Sequence, residues 1–376
     1  MMSRAEVLSW LRETDPARLE KLWARADRVR RRRVADAVHR RGLVEISNHC
    51  VRSCAYCGLR SENRGLCRYR LSDDRICAAA RQAAAYGYGT VVLQAGEDPG
   101  LGADRVAALV RRIKSTTALA VTLSLGEREP EELCAWREAG ADRYLLRFET
   151  SDRELYRAIH PDRPGLPSDR MALLAALRVL DYEVGSGVMV GLPGQSYASL
   201  AEDLFTFRHL DLDMIGVGPF LPHPGTPLGS GWNPRPLPAA EQVPATVEMT
   251  CKVVALARLL CPEANIPSTT ALATLDQARG RELGLQRGAN VVMPNLTPLR
   301  WRAAYEIYPG KACVSESAGQ CNGCLDRRIR GLGRWPGMGP GGRLRVALEA
   351  LTVGDGPDDE SKRARRGHGE SPAYRR

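Results

Sequence analysis

Three cysteines, Cys50, Cys54 and Cys57, stand at C-x3-C-x2-C directly after an apolar run, Leu43–Ser47, that reads as a strand. Thiolates ligate iron–sulfur clusters, and a cubane carries four irons. Three thiolates from one compact loop hold three of them and leave the fourth open to a ligand or substrate. Zinc is the competing metal, but a structural zinc site takes a fourth protein ligand. His49, adjacent to Cys50, is poorly placed for that role. The plain alternative is three unligated thiols in a loop. A second trio, Cys313, Cys321 and Cys324, follows C-x7-C-x2-C late in the chain, with glycine and small polar residues between. It reads as a further iron–sulfur site that again leaves a coordination position open. Zinc with a distant fourth ligand is its alternative.

Further stretches place polar groups after other apolar runs. Gln94-Ala95-Gly96-Glu97 joins a glycine, which lets a ligand approach the backbone, to a carboxylate that accepts bonds from an ammonium. A simple strand-to-helix turn is the alternative. Arg147-Phe148-Glu149 is either a structural ion pair or a holder for a zwitterion's carboxylate and a ribose hydroxyl, with Arg170 as an added carboxylate partner. Gly187-Val188-Met189-Val190-Gly191-Leu192-Pro193-Gly194-Gln195 leaves room for a flat base against the backbone. Ser268-Thr269-Thr270 and Met293-Pro294-Asn295 follow the last two runs. Hydroxyls there bind a polar or anionic substrate, or merely cap helix starts.

The elements that must position these groups begin with helices over Ser3–Val38, broken at Asp15-Pro16. From Leu43 short apolar runs alternate with helical stretches. The runs are Leu43–Ser47, Thr90–Gln94, Ala120–Leu123, Arg143–Arg147, Gly187–Gly191, Met214–Val217, Asn265–Pro267 and Val291–Met293. Helical patterns include Ser72–Tyr86, Ser199–His209, with Ser199 and Glu202 as a capping box, and Ala240–Leu260. Strands alternating with helices in this way read as α/β, a (β/α)8 TIM-like barrel with its site at the C-terminal ends of the strands. A doubly wound open sheet is the main alternative. The expected organisation is an N-terminal helical extension over 1–40, the barrel over 41–308, a cysteine-bearing segment over 309–353 and a charged, apolar-poor tail over 354–376. A last helix is expected over Arg343–Leu351.

With 376 residues, 44% of them hydrophobic, the chain can bury one large core or two smaller ones. Six of its eleven cysteines form the two trios, an arrangement unlike a secreted disulfide scaffold. The start, Met1-Met2-Ser3-Arg4, carries no apolar signal segment, and no apolar run is long enough to span a membrane. A reducing cytoplasm at low oxygen, and a monomer, are the expectations. The formal charge of +10 gathers in Arg28–Arg33, Arg40, Arg41 and the tail. A basic run of this kind is more often a solvated helix face than a nucleic-acid site, and no aromatic-rich groove accompanies it.

The cysteine motif, with Tyr56 before its last cysteine, resembles the signature of radical S-adenosylmethionine (SAM) enzymes. The resemblance implies a [4Fe-4S] cluster on Cys50, Cys54 and Cys57 whose open iron is chelated by SAM. One-electron reduction then yields methionine and a 5′-deoxyadenosyl radical. Cys54–Arg60, Val92–Pro99, Val121–Glu127, Tyr144–Thr150 and Gly216–Leu228 together resemble the HydE family, the radical SAM maturases of [FeFe]-hydrogenase. By that likeness Tyr56, Gln94, Gly96, Glu97, Thr122, Arg147, Glu149, Arg170 and Met189 hold SAM, and Thr269, Thr270, Met293 and Tyr305 line the substrate end. The late trio resembles the family's accessory cluster site, [2Fe-2S] or [4Fe-4S]. The implied substrate is a small iron complex bearing carbonyl, cyanide and cysteine. The implied partners are the maturases HydG and HydF and an electron donor such as ferredoxin or flavodoxin. Ala95 and Phe148 stand where the family has serine and histidine. A radical SAM amino-acid mutase of the methylornithine synthase type is the alternative. Two further alternatives are a cluster carrier or scaffold without SAM chemistry and a nucleic-acid-modifying radical enzyme.

Overall fold

The computed structural model describes residues 2–163 and 167–343. Two helices open the chain, α1 (Arg4–Arg12) and α2 (Pro16–Val34). Ser3 caps α1 in a reciprocal box with Glu6, and Asp15 caps α2 by accepting from the Ala17 N–H. Pro16 suits the first position of α2, where no N–H is needed, so the break falls where the sequence predicts it. The two helices pack against the outer helices Tyr197–His209 and Val247–Leu260.

Seven parallel strands follow: β1 (Ala37–Ser47), β2 (Thr90–Ala95), β3 (Ala120–Ser124), β4 (Arg143–Leu145), β5 (Glu183–Val190), β6 (Met214–Pro219) and β7 (Val291–Val292). Their order is β6-β5-β4-β3-β2-β1-β7. The run Asn265–Pro267, read as a strand, joins the ring only through single bridges, Met214 to Asn265 and Pro267 to Val291. A proline cannot donate to a ladder, which keeps this link short. Even so, it connects β6 to β7 and closes the TIM-like barrel. A further short strand, β8 (Trp335–Pro336), pairs outside the ring with Ala37 and Val38 at the start of β1.

After β8 the chain crosses the N-terminal mouth of the barrel. Thr90 Oγ1 donates to the Pro340 carbonyl at 2.9 Å, Arg41 Nη2 to Gly341 at 3.0 Å and Asn265 Nδ2 to Gly341 at 3.1 Å. A Cβ on Gly89 would overlap the Gly339 carbonyl, so this crossing needs glycine there. The site must then open at the other end, where β1 to β5 release their loops.

Several boundaries differ from the sequence reading. Arg40 and Arg41, taken with the basic run, are buried in β1, and Arg30 is buried between Asp27 and Asp36. Arg28, Arg31 and Arg32 are exposed. The helix expected from Ser199 starts at Tyr197 with Ser196 as its cap, and Ser199 supplies the reciprocal bond in place of Glu202. The helix expected from Ala240 starts at Val247, because Pro244 interrupts it and Thr246 caps the later start. The helices Arg153–Ile159, Thr270–Leu275 and Ala318–Gly331 were not anticipated. The expected tail, and all of the expected last helix beyond Arg343, lie outside the described residues.

Candidate active site at the barrel mouth

The cluster loop begins where β1 ends. Ser47 Oγ donates to Asp98 Oδ2 at 2.6 Å. Asn48 then acts as a peg: its Nδ2 donates to the Cys67 and Ala304 carbonyls at 2.8 and 2.7 Å, and its Oδ1 accepts from the Tyr69 N–H. The Arg68 guanidinium donates to the carbonyls of Asn48, Leu59 and Arg60, holding both ends of the loop. Between these anchors the Val51 and Ala55 N–H groups donate to Glu97 and Ile159. The loop is thus fixed by bonds to its neighbours rather than by internal regular structure.

Cys50, Cys54 and Cys57 all line one cavity of about 330 Å³. Burial raises all three thiols above the ordinary cysteine range, Cys54 to about 12. With them the cavity gathers Tyr56, Gln94, Gly96, Glu97, Arg147, Glu149, Arg170, Met189, Thr269, Thr270, Met293, Tyr305 and Cys313 from distant parts of the chain. Among the SAM- and substrate-facing residues expected here, Thr122 does not line it. Thr122 lies buried in β3 with an unpartnered hydroxyl, and Ser124, two residues on along the same strand face, lines the cavity instead. Gly96 has a local reason to be glycine: a Cβ there would meet the His49 carbonyl and Cys50.

Charge is organised in two ways around this cavity. Near the cluster loop it is paired. Arg52 Nε donates to Glu97 Oε1 at 2.7 Å and its Nη2 lies 3.0 Å from Glu127 Oε2. Glu127 also takes Arg170 Nε at 2.9 Å and the Ser168 hydroxyl at 2.8 Å. Burial pushes the Glu127 carboxyl up, but the His160 hydrogen bond and the Arg170 and Arg52 charges outweigh it and hold it at about 2. His160 is buried between Cys54 and Glu127, and burial with the Arg170 charge lowers it to about 4. At the end of β4 the charge is exposed to the cavity. Arg147 Nη2 and Glu149 Oε2 lie 3.0 Å apart, yet Arg147 Nε, Arg147 Nη2 and Glu149 Oε2 are buried without an aligned hydrogen bond. Glu149 holds φ +62, a conformation that non-glycine residues seldom adopt and that collects at functional sites. Buried donors and acceptors left open suit a zwitterion with hydroxyls better than a closed ion pair.

The far end of the cavity is polar too. Gln94 Nε2 donates to Tyr305 Oη at 3.2 Å. Thr269 caps the helix Thr270–Leu275 and donates to the Val217 carbonyl, so its hydroxyl has a structural duty as well as a place in the wall. Lys311 Nζ lies 2.7 Å from Glu45 Oε1, both side chains nearly inaccessible, and Asn295 Nδ2 donates to the other Glu45 oxygen. Arg281 and Tyr308 complete this wall. The sequence reading missed Glu45, Arg52, Glu127, His160, Arg281, Tyr308 and Lys311. Glu45, a lone acid inside a buried strand, was the one with a readable signal.

The second trio spans a loop and a helix. Cys313, in a loop at φ +63, lines the cavity and receives Arg281 Nη2 at 3.3 Å. A hydrogen bond with Cys321 lowers the Cys313 thiol below the ordinary cysteine range, with the Arg281 charge helping against burial. Cys321 is buried and Cys324 exposed, one turn apart on the helix Ala318–Gly331. Among the described residues no three His, Cys, Asp or Glu side chains converge as the ligands of a single metal ion do.

The Radical SAM superfamily model matches residues 44–206, from β1 into the helix after β5. The [FeFe] hydrogenase maturase subunit HydE of Thermotoga maritima is 46% identical over 87% of this chain and 90% of its own length. The 3-methylornithine synthase of Methanosarcina acetivorans is 29% identical over 77% of this chain and 79% of its own. Among solved structures, methylornithine synthase superposes with a TM-score of 0.75 at 24% identity, covering 90% of this chain and 94% of the other, a likeness of fold. The superfamily implies a [4Fe-4S] cluster and SAM, and the three cavity-lining thiols, Cys54 buried and Cys50 and Cys57 half-buried, beside open polar groups fit both. The chain belongs to the HydE family of radical SAM enzymes.

Proposed function

We propose that this chain cleaves SAM reductively and acts on a small cysteine-bound iron carbonyl–cyanide precursor during assembly of the [FeFe]-hydrogenase cluster. One observation carries the reading. A single cavity joins the three cluster-loop thiols to open polar groups at the end of β4 and to a polar wall at Thr269, Tyr305 and Lys311. The Thermotoga maritima relative that covers most of the chain bears the maturase name.

Cys50, Cys54 and Cys57 would hold a [4Fe-4S] cluster, which when bound supplies the electron that splits SAM into methionine and a 5′-deoxyadenosyl radical. Arg147, Glu149 and Arg170 would take the carboxylate and ribose of SAM. Tyr56, Gln94, Gly96 and Met189 would frame it. Glu97 would receive the SAM ammonium beside Arg52, its present partner. Thr122, one layer below the wall, would serve at most through Ser124. Thr269, Thr270, Met293 and Tyr305 would line the substrate end with Lys311 and Arg281. Cys313, Cys321 and Cys324 would hold a second cluster, [2Fe-2S] or [4Fe-4S]. HydG and HydF, with ferredoxin or flavodoxin as donor, are the proposed partners. A cytoplasmic monomer is the proposed state. No helix among the described residues is long and apolar enough to cross a membrane.

The test is reconstitution of hydrogenase activity from apo-hydrogenase with the other maturases present. Hydrogen evolution that requires this chain and is lost with Cys54→Ala supports the reading. Full activation without the chain, together with release of a free rearranged amino acid from incubation with SAM, overturns it in favour of a mutase.

A further inference from the structure

His160 belongs to none of the cysteine or SAM-facing motifs, yet it touches the cluster loop directly. Its Nδ1 lies 3.0 Å from Cys54 Sγ. The ring is fully buried, stacked on Tyr156 at 5.0 Å and on Tyr56 at 6.5 Å between centroids. On its far side Nε2 lies 3.2 Å from Arg170 Nη2 and 3.3 Å from Glu127 Oε1. Glu127 is itself fixed by Arg170, Arg52 and Ser168.

The proton on the ring follows from the neighbours. Nε2 faces both a donor, Arg170 Nη2, and an acceptor, the Glu127 carboxylate, and can take either role. The proton is set from the other side, where only an Nδ1–H can bond to a thiolate, with Arg170 then donating to Nε2. A cysteine that ligates iron has no proton of its own. The Nδ1–H then points along the line to Cys54 Sγ. Tyr56 Oη, 3.4 Å from the same nitrogen, is the longer and weaker contact.

We infer that His160 donates a hydrogen bond from Nδ1 to the Cys54 thiolate of the cluster and thereby raises its reduction potential. A donor to a ligand sulfur stabilises the more negative, reduced state, and hydrogen bonds to sulfur are one of the levers that set such potentials. His160 is a positioning residue, acting through Cys54. Arg170, as a donor to Nε2, supports that tautomer and ties the ring to the arginine proposed to face SAM. The inference rests on the cluster at Cys50, Cys54 and Cys57 and not on which substrate the barrel takes.

The test compares the reconstituted parent with His160→Leu, which keeps bulk and removes the donor, and His160→Asn, whose amide places a donor near the Nδ1 position. Iron content and 5′-deoxyadenosine formation in the parent first establish the cluster, so their failure is separate from failure of the inference. An EPR-monitored redox titration then reads the midpoint potential. The expected result is a negative shift in His160→Leu that is largely recovered in His160→Asn, at equal iron. Equal potentials in all three proteins overturn the inference. Should His160→Leu lose iron, the reduced parent labelled with ¹⁵N-histidine decides. Pulsed EPR shows a weakly coupled nitrogen that His160→Asn lacks and His49→Asn retains, or the inference falls.

Discussion

Arg52 and Glu97 form an ion pair, Nε to Oε1 at 2.7 Å, with both side chains almost wholly buried. It ties the cluster loop to the loop after β2. The same guanidinium reaches Glu127, which follows β3, at 3.0 Å. One side chain thus fastens the cysteine loop to two neighbouring strand ends.

Removing one partner of a buried pair leaves an uncompensated charge, which costs far more than the pair contributes. Arg52→Met leaves two carboxylates, and the expected loss is about 3–5 kcal/mol of unfolding free energy, with low iron content after reconstitution. Denaturant unfolding of the apo-protein and iron analysis check this. A loss below about 1 kcal/mol, as for an exposed pair, with full iron would show that Arg52 does not hold the loop.

Asp203 couples two other walls. Its Oδ1 accepts from the Ser151 N–H and hydroxyl and from Thr150, and its Oδ2 accepts from Gln195 Nε2. Thr150 and Ser151 directly follow Glu149, and Gln195 ends the glycine segment after β5. Asp203→Ala leaves these buried donors unmet at roughly 1–3 kcal/mol each. The expected kinetic result is a several-fold rise in the KM for SAM at unchanged iron content. An unchanged KM with lowered stability alone would assign Asp203 to packing.

Much of this was legible beforehand, for a reason that differs from part to part. The cluster loop and the strand–helix rhythm are local patterns, and the alternation placed most strand centres correctly. Arg40 and Arg41 misled because a basic pair looks solvated in sequence. Their partners, Asp326 and Gly341, arrive from nearly 300 residues away. Arg52, Glu127 and His160 are joined only by folding, from three separate loops, so no spacing announces them. Thr122 lies buried one layer below the cavity wall, which on β3 is formed by Ser124, and a spacing rule does not tell these two layers of one strand face apart.

His39 offers a pH test. It packs under Gly337 and Gly341, its Nδ1 is unpartnered, and burial with the nearby Arg41 and Arg143 charges lowers it from 6.5 to about 4. Glu183 faces the same cluster through its pair with Arg143. The folded protein therefore binds this proton less readily than the unfolded chain. The stability His39 contributes is complete above pH 6.5 and is lost progressively as the pH falls toward 4. The melting temperature of the parent should fall more steeply between pH 7 and 5 than that of His39→Gln. Parallel curves would mean that His39 titrates normally.

The central claim is that the first trio supports reductive cleavage of SAM and the second does not take part in it. Protein reconstituted without oxygen, reduced, and given SAM is assayed for 5′-deoxyadenosine, comparing the parent, Cys54→Ala and the double variant Cys321→Ala, Cys324→Ala. The account predicts cleavage in the parent and in the double variant, and none in Cys54→Ala. No cleavage in the cluster-loaded parent, or cleavage that survives Cys54→Ala, would contradict it.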